Sequence, residues 1–341
     1  MKILYAIQGT GNGHLARATE IIPALQQMGE TDILVSGIQG DIQLPFPIKY
    51  KFYGLSFIFG KNGGVDLLST VLKARLLRLF RDIRRLPLRD YDLVISDFEP
   101  VSAWACKLRG VKCVGLSHQN AVLHPSAARP AQNNGLAKAI LKYYAPTCFR
   151  YGFHFKALDA THFSPVIRSA IRHARVSDQG HYTVYLPAFG DAEIVKILSY
   201  YEKEKWEVFS KSCRQAYKIG NIQFSPVSLE GFNASFVSCA GILCTAGFET
   251  PAEALFMGKK LCVIPMRNQY EQACNAAFLA DMGISVAGSS QNLREILSHW
   301  LADEARLQLS YPDETHEIIA SIVSEHGYSV SETARRSAKM W

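Results

Sequence analysis

A glycine-rich turn near the start of the chain ends on a histidine. Residues 9–14 read Gly-Thr-Gly-Asn-Gly-His, between an apolar run and a helical pattern. Glycines such as Gly11 and Gly13 let a backbone turn sharply and approach a ligand, and free amides at a helix start favour negative charge. His14 at such a turn can act as a general base, because imidazole titrates near neutral pH. Helix capping or packing is the structural alternative for this histidine.

Two other interpretations of the glycine turn fit the sequence less well. A phosphate loop needs Gly-Lys-Ser/Thr, and this turn has no lysine. A dinucleotide fingerprint needs its third glycine one residue later and an acid after the second strand. Here the second strand ends at Ser36-Gly37. The histidine interpretation therefore remains the strongest of the three.

Polar residues also follow two later apolar runs of the first half. Asp97 ends one of them, where it can orient His14, contact an acceptor, or cap the helix that Pro100 starts. The next run ends in His118, Gln119 and Asn120. Open α/β sheets bind ligands beyond the carboxyl ends of their strands. We therefore expect these side chains to line one cleft, as candidates for acceptor binding.

A second chemical cluster lies in the other half of the chain. The turn from Thr245 through Gly247 and Phe248 to Thr250 joins an apolar strand to a helix, and its amides and hydroxyl can hold a diphosphate without a metal. Glu253, one turn into that helix, can accept hydrogen bonds from ribose hydroxyls. Glu271 and Gln272 open the next helix, where they can hold the hydroxyls of a hexose. Capping or surface polarity would explain each piece taken singly.

Alternating strand-like and helix-like runs position both clusters. In the first half, strands are predicted at residues 3–7, 31–36, 91–96 and 112–117, with helices between them. A second series begins near Tyr182. We predict an α/β protein of two doubly wound domains, 1–165 and 166–325, with segment 326–341 packing back on the first; 341 residues suit two domains.

The positive charge of the chain is concentrated in one segment. Residues 1–165 hold 20 Lys+Arg and 11 Asp+Glu, whereas residues 166–341 hold 17 and 19. Seven basic residues and one acid lie between Lys73 and Arg89. Segment 72–89 repeats leucines and arginines at helical spacing, which is typical of a helix lying on an anionic membrane. A core-facing helix with a solvated arginine face is the alternative. Nucleic-acid binding is disfavoured because no recognition module accompanies the charge.

Composition limits the class of protein. A hydrophobic content of 48% and a charged content of 20% are those of a globular protein. Eight cysteines without a Cys-x-x-Cys pair indicate reduced core residues. The start of the chain does not resemble a signal peptide, and no apolar run approaches the roughly 18–20 residues that cross a bilayer. The expected location is the cytoplasm, with peripheral binding at the inner face of the cell membrane.

The two clusters together resemble the metal-independent Leloir glycosyltransferases of GT-B architecture. The most similar types are the N-acetylglucosaminyltransferase that completes lipid II and the UDP-dependent glucosyl and glucuronosyl transferases. The resemblance is dense at Gly13-His14 and over residues 239–283. It implies two Rossmann-like domains facing across a cleft, a UDP-sugar donor, an inverting transfer and no metal or other cofactor. It also implies a lipid-linked or cell-envelope acceptor.

The resemblance assigns roles to individual residues of this sequence. His14 corresponds to the catalytic base, with Asp97 as its candidate partner, and Glu253 to the ribose-binding acid. The remaining donor-binding positions that it implies are Gly11, Gly13, Gly190, Phe224 (for stacking the base), Thr245, Gly247, Phe248, Thr250, Glu271, Gln272 and Asn275. Thr245 stands where plant-type members have a histidine that contacts the phosphate. Glu271 stands where some relatives have aspartate, which leaves the identity of the sugar open.

Two alternatives share this architecture. A UDP-sugar epimerase would need further acids in the cleft, for which Asp97 and Glu99 are the candidates. A non-catalytic partner subunit would retain the fold without turnover. The presence of both His14 and Glu253 favours the transferase over the second alternative.

Overall fold

The computed structural model describes residues 1–37, 43–55, 76–131, 135–287 and 293–327. The first α/β unit has the strands β1 (Lys2–Gln8), β2 (Glu30–Ser36), β3 (Tyr50–Phe52), β4 (Leu93–Asp97), β5 (Val114–Leu116), β6 (Phe149–Phe153) and β7 (His162–Phe163). Its helices are α1 (Asn12–Met28), α2 (Leu76–Arg85), α3 (Pro100–Arg109), α4 (His118–Val122), α5 (Gly135–Tyr144) and α6 (Ser169–Arg172), and Leu88–Asp90 form a 3₁₀ turn.

The second unit repeats this plan. Its strands are β8 (His181–Tyr185), β9 (Lys205–Ser210), β10 (Tyr217–Ile219), β11 (Ile222–Pro226), β12 (Gly241–Thr245), β13 (Lys260–Ile264) and β14 (Ser285–Val286). Its helices are α7 (Asp191–Leu198), α8 (Leu229–Ser238), α9 (Glu249–Met257), α10 (Tyr270–Asp281), α11 (Leu293–Ala302) and α12 (Thr315–His326).

Both sheets are doubly wound. The first has the order β3-β2-β1-β4-β5-β6-β7 with every pair parallel. The second has the order β10-β11-β9-β8-β12-β13-β14 and is parallel except for the edge pair β10–β11. Each sheet reverses its strand order beside its first strand, where α/β proteins bind ligands. The predicted fold class, two Rossmann-like domains, is confirmed.

Buried parallel strands explain why the sequence pattern was readable. Residues 3–7 of β1 are completely buried, since helices cover both faces of the sheet, and the strand therefore reads as a continuous apolar run. Helix α3 shows a start that the sequence only partly predicted. Pro100 is its first residue, but Glu99, not Asp97, caps it by accepting from the amides of Val101 and Ser102. Asp97 therefore does not cap α3, and its carboxylate is available for contacts in the candidate site.

The end of the described chain returns to the first unit. Helix α12 packs on α1, and the Tyr151 hydroxyl lies 2.8 Å from His326 Nε2 and donates to Glu325 Oε2 at 2.8 Å. These contacts come from α12, and the packing predicted for the segment that starts at residue 326 stays a prediction. Residues 328–341 of that segment lie outside the described residues.

Helix α2 covers part of the predicted basic segment, of which residues 72–75 lie outside the described residues. Leu79 and Ile83 are buried against the first unit, as a core-facing stripe requires. Two other apolar side chains of α2 lie outside that stripe, since Phe80 is 58% exposed and Leu77 is 87% exposed. Within the described ranges, no helix has the length and apolarity needed to cross a membrane.

Candidate active site

A cavity of about 380 Å³ lies between the two units, at the point where both sheets reverse their strand order. Its volume falls within the range of about 300–1,000 Å³ that is usual for small-molecule sites. The glycine turn of the first unit and the turn before α9 face each other across it. Of the predicted site residues, it is lined by Gly11, Gly13, His14, His118, Gln119, Thr245, Gly247, Phe248, Thr250, Glu253, Glu271 and Gln272.

His14 and Asp97 form a hydrogen-bonded pair at the floor of the cavity. His14 Nδ1 lies 2.8 Å from Asp97 Oδ1, and the aspartate is completely buried. Because the carboxylate accepts, Nδ1 carries the proton of the neutral ring and Nε2 offers its lone pair. Burial lowers the pKa of His14, but the charge and hydrogen bond of Asp97 outweigh it, so this pKa lies above its ordinary value. Such an imidazole is a stronger proton acceptor than a free one.

Arg17 is a member of the site that the sequence interpretation missed. Its side chain is 1% exposed, and its Nη2 donates to both oxygens of Asp97 at 2.7 and 2.8 Å. Burial raises the pKa of Asp97, but the charges of Arg17 and His14 outweigh it and hold this pKa below its ordinary range. The spacing in the sequence could have indicated this contact, because Arg17 follows His14 by three residues and such positions share one face of a helix.

Glu249 joins this group from the second unit. Its carboxylate pairs with Arg17 Nη1 and lies against Gly13, where an added Cβ would collide with it. A glycine at the start of α1 is thus needed for the close approach of an acid from the opposite unit. The acid also suits the positive end of that helix.

Gln119 forms a second link between the surroundings of His14 and the second unit, besides the Arg17–Glu249 contact. Its Nε2 lies 3.2 Å from His14 Nε2 and donates to Glu271 Oε2 at 2.9 Å. The glutamine is 4% exposed, and its Oε1 has no hydrogen-bond partner among the described residues. One amide therefore contacts both His14, the predicted base, and the residue predicted to bind the sugar.

His118 has a packing role between the units. Its ring stacks on Phe248 with centroids 3.9 Å apart, and its Nδ1 donates to the Phe153 carbonyl at 2.8 Å. Its Nε2 lies 2.8 Å from Asn275 Oδ1. The histidine is 1% exposed, so these contacts account for both ring nitrogens and one ring face.

The turn before α9 is the segment for which the sequence predicts an anion site. Gly247 sits between β12 and α9, and its amide donates to the Thr245 carbonyl at 2.8 Å. The amides that open α9 have no partner within the helix, which is the usual basis of phosphate binding at helix starts. Thr250 lies in the first turn of α9 and lines the cavity.

Glu253 has a partner that the sequence did not reveal. Arg168 binds both of its oxygens, with Nε–Oε1 at 2.6 Å and Nη2–Oε2 at 2.7 Å. Both residues line the cavity, and both are at least nine-tenths buried. A carboxylate has about four acceptor positions, and the arginine uses two of them. Glu253 therefore keeps the capacity to accept from ribose hydroxyls.

Four predicted site residues lie elsewhere than expected. Phe224 is completely buried in the core of the second unit and stacks on Tyr217 with centroids 4.7 Å apart, because its strand position faces inward. Asn120 donates to the Tyr151 carbonyl at 2.9 Å, behind the strand end. Asn275 is also completely buried, donating to the Ala246 carbonyl at 3.1 Å. Gly190 is exposed as the N-cap of α7.

The wall of the cavity opposite the turn before α9 is apolar. Helix α5 presents Leu136, Ile140 and Leu141 to the cavity, and Leu136 is 70% exposed. Phe98 lines the same side, stacks on Tyr144 at 4.7 Å, and has a positive φ of 54°. Non-glycine residues with positive φ carry backbone strain and are concentrated at functional sites. The sequence interpretation did not identify this wall.

A cluster of metal-capable side chains lies outside the cavity. Asp159 is 3.1 Å from His124 Nε2 and 2.9 Å from His162 Nδ1. It also accepts from the amide and hydroxyl of Thr161, while His124 Nδ1 accepts from the amide of Ser126 at 3.2 Å. An imidazole that accepts at Nδ1 carries its proton at Nε2, where a metal would bind. These hydrogen bonds hold the turn around residues 159–162 together, and they account for the close approach of the three side chains without a metal ion.

Two Rossmann-like domains that face each other across a cavity are the architecture of GT-B glycosyltransferases. Sequence comparison agrees, since residues 1–303 match the profile described as Glycosyl transferase family 1. The chain belongs to this family and is a glycosyltransferase. A search of curated proteins by sequence gives no significant match.

Solved structures of glycosyltransferases have the same fold. MurG of Acinetobacter baumannii superposes with a TM-score of 0.55 over 95% of this chain and 99% of its own, at 16% identity. A UDP-glucosyltransferase from Polygonum tinctorium gives a TM-score of 0.56 over 96% and 99%, at 14% identity. The spinosyn rhamnosyltransferase SpnG gives 0.55 over 96% of each chain, at 13% identity. At such identities the likeness shows the fold alone.

Proposed function

We propose that this glycosyltransferase moves a hexose or N-acetylhexosamine from a UDP-sugar to an acceptor hydroxyl, with inversion and without a metal. The second domain is the donor domain and the first is the acceptor domain. The observation that carries the proposal is the His14–Asp97 pair, which holds His14 in the same cavity as the turn before α9. In the proposal, His14 Nε2, now 3.2 Å from Gln119 Nε2, exchanges this contact for the acceptor hydroxyl. Inversion needs a base on one side of the anomeric carbon and a leaving group on the other.

In the proposed reaction, His14 Nε2 accepts the proton of the acceptor hydroxyl as its oxygen attacks the anomeric carbon. The bond from that carbon to the diphosphate oxygen breaks, and UDP leaves with the electron pair. Asp97 stabilises the imidazolium that forms, because its pKa is held low and it stays ionised.

The donor half supports the nucleotide part of the proposal. Amides at the start of α9 stabilise the leaving diphosphate in place of a metal. Lys211 also lines the cavity and adds positive charge there, whereas the charge of Arg168 is balanced by Glu253. Glu253 accepts from the ribose through the positions that Arg168 leaves open, and Glu271 accepts from the sugar hydroxyls.

The apolar wall favours an acceptor with an apolar part. A purely polar acceptor would leave Leu136, Ile140 and Leu141 against water, whereas burial of apolar surface contributes about 25 cal/mol per Å². A lipid-linked acceptor of the cell envelope fits this requirement. The same reasoning fits peripheral binding to anionic membrane through α2, because exposed Leu77 and Phe80 accompany its arginines.

The epimerase alternative is less well supported. It needs additional acids in the cleft, and one of the two candidates, Glu99, is completely buried as the cap of α3. It also accepts from the Ser36 hydroxyl at 2.5 Å. The other candidate, Asp97, is bound to Arg17 and His14. Three more acids among the described residues line the cavity, but each already has a side-chain partner: Glu249 pairs with Arg17, Glu253 with Arg168 and Glu271 with Gln119.

A panel of UDP-sugars tests the proposal. Release of UDP is measured with and without a lipid acceptor fraction, in EDTA, and the anomer of the product is read by NMR. The His14→Ala variant should lose at least about 100-fold in kcat, as loss of a general base does. His173→Ala is the matched control, since that histidine is exposed and its ring hydrogen-bonds the Ser169 carbonyl of its own helix turn. An undiminished rate in His14→Ala would refute the mechanism, and UDP binding without turnover would favour a non-catalytic subunit.

Liposome flotation tests the membrane surface separately. Wild type should float with vesicles containing anionic lipid, and the Arg78→Glu/Arg81→Glu variant should float less. Lys203→Glu/Lys205→Glu is the control, because these exposed lysines lie on the second unit. Equal flotation of wild type and the α2 variant would refute membrane binding by this helix.

A further inference from the structure

A buried arginine links the catalytic pair to the donor domain. Arg17 contacts Asp97 through Nη2 and Glu249 through Nη1, so one guanidinium touches both sides of the cleft. Asp97 belongs to β4 of the first domain, whereas Glu249 opens α9 of the second, beside the anion-binding turn. The position of Arg17 therefore depends on both domains at once.

We propose that Arg17 and Glu249 are positioning residues that couple closure of the two domains to the orientation and basicity of His14. This inference rests on the proposed function. When the domains meet, Glu249 holds one side of the Arg17 guanidinium, and the other side fixes the carboxylate of Asp97. The Asp97 oxygen that binds Arg17 at 2.7 Å is the one that binds His14 at 2.8 Å. If the domains separate, the arginine loses its counter-ion and this shared oxygen is no longer fixed.

The charges around His14 give the inference a direction that can be measured. Asp97 on β4 raises the pKa of His14, Arg17 on α1 lowers it, and Glu249 on α9 raises it. Of the other elements near the ring, α4 contributes the uncharged Gln119, which leads to Glu271 on α10. On β1, the Tyr5 hydroxyl donates to Asp97 Oδ2 at 3.4 Å, and burial raises the pKa of this tyrosine.

Two variants should therefore shift the base in opposite directions. In Arg17→Met the full charge of Asp97 acts on His14, so the pKa of His14 rises and the acidic limb of the kcat/KM profile moves to higher pH. In Glu249→Gln one nearby negative charge is lost while Arg17–Asp97 remains, so the limb moves to lower pH. Each shift of one pH unit changes the unprotonated fraction about tenfold on the acidic side.

Coupling between the two residues is tested by combining the variants. Glu249→Gln should lower kcat at least about tenfold in the wild-type background with a smaller change in KM, since closure positions the base. In the Arg17→Met background the same change should cost much less in kcat, because the partner is already absent and only the direct effect of the Glu249 charge on His14 remains. Arg17→Lys keeps the charge but reaches both acids poorly, and it should restore part of the activity lost in Arg17→Met.

NMR titration of histidine-labelled protein separates this inference from the proposed function, because it needs no turnover. The His14 imidazole should titrate at higher pH in Arg17→Met and at lower pH in Glu249→Gln than in wild type. Arg172→Met is the control for losing a half-buried arginine, since Arg172 pairs with Asp313 at 3.8 Å away from the cavity. Shifts of the same sign in both variants, or additive rate losses in the double variant, would overturn the inference. Failure of wild type to turn over any UDP-sugar would instead count against the proposed function.

Discussion

Replacing Asp97 by asparagine removes one charge from the centre of the site while keeping the shape of the side chain. Asp97 Oδ1 accepts from His14 and Arg17, and its Oδ2 accepts from Arg17 at 2.8 Å and from Tyr5 at 3.4 Å. An asparagine supplies one acceptor and one donor, so at least one N–H of Arg17 would face another N–H. The variant thus loses the charge and creates a donor–donor contact.

The expected magnitudes follow from these contacts. Breaking a buried ion pair by removing one partner costs about 3–5 kcal/mol of unfolding free energy, because the other charge stays buried. Loss of the carboxylate also lowers the pKa of His14 and weakens it as a proton acceptor, for which we expect kcat to fall about 100- to 1,000-fold. The acidic limb of the kcat/KM profile should move to lower pH.

The loss of stability should itself depend on pH. Asp97 has a lowered pKa in the fold, so its contribution is fully present above its ordinary value of 3.8 and is lost as the pH falls through the lower folded value. The part due to protonated His14, whose pKa is raised, is present below 6.5 and is lost as the pH rises through the folded value.

Urea unfolding from pH 3 to 8 and UDP release from pH 5 to 9 test this reasoning. Asp178→Asn is the control, because Asp178 is an exposed partner of Arg306 at 2.9 Å and should matter by less than about 1 kcal/mol. A kcat within fivefold of wild type, or an acidic limb that moves to higher pH, would refute the role given to Asp97.

Three further variants test separate parts of the site. Glu253→Gln should raise the KM for the donor about tenfold, because a neutral amide is a weaker acceptor for ribose and leaves the charge of Arg168 unpaired. Isothermal titration with UDP checks this prediction, and an unchanged affinity for UDP would contradict it. Phe224→Ala should lower the free energy of unfolding by about 3–5 kcal/mol and leave the KM for the donor unchanged, since the ring belongs to the hydrophobic core. A raised KM at unchanged stability would show that Phe224 binds the donor. Gly13→Ala should lower kcat, because the added Cβ displaces Glu249. Gly190→Ala is the control, since an added Cβ there meets nothing within 4 Å. Equal kcat values for the two variants would contradict this prediction.

The sequence by itself determined the architecture and most of the donor turn. Buried parallel strands are apolar along their whole length, so β1, β4 and β12 could be read directly from runs such as residues 3–7. The glycine turn, His14 and the run from Gly247 to Glu253 are contiguous or nearly so, and local spacing places them on one turn or one helix face.

Only the tertiary structure decided which side chains meet across the cleft. The partners of the pairs Arg17–Glu249 and Gln119–Glu271 lie more than 150 residues apart in the chain, and no local pattern links them. Arg168 was hidden for the same reason, since its partner Glu253 lies on another element. Phe224 shows the converse case. Its residue type suits stacking on a base, but the facing of β11 sends the ring into the core, because side chains alternate between the two faces of a strand and one residue of register decides which face they join.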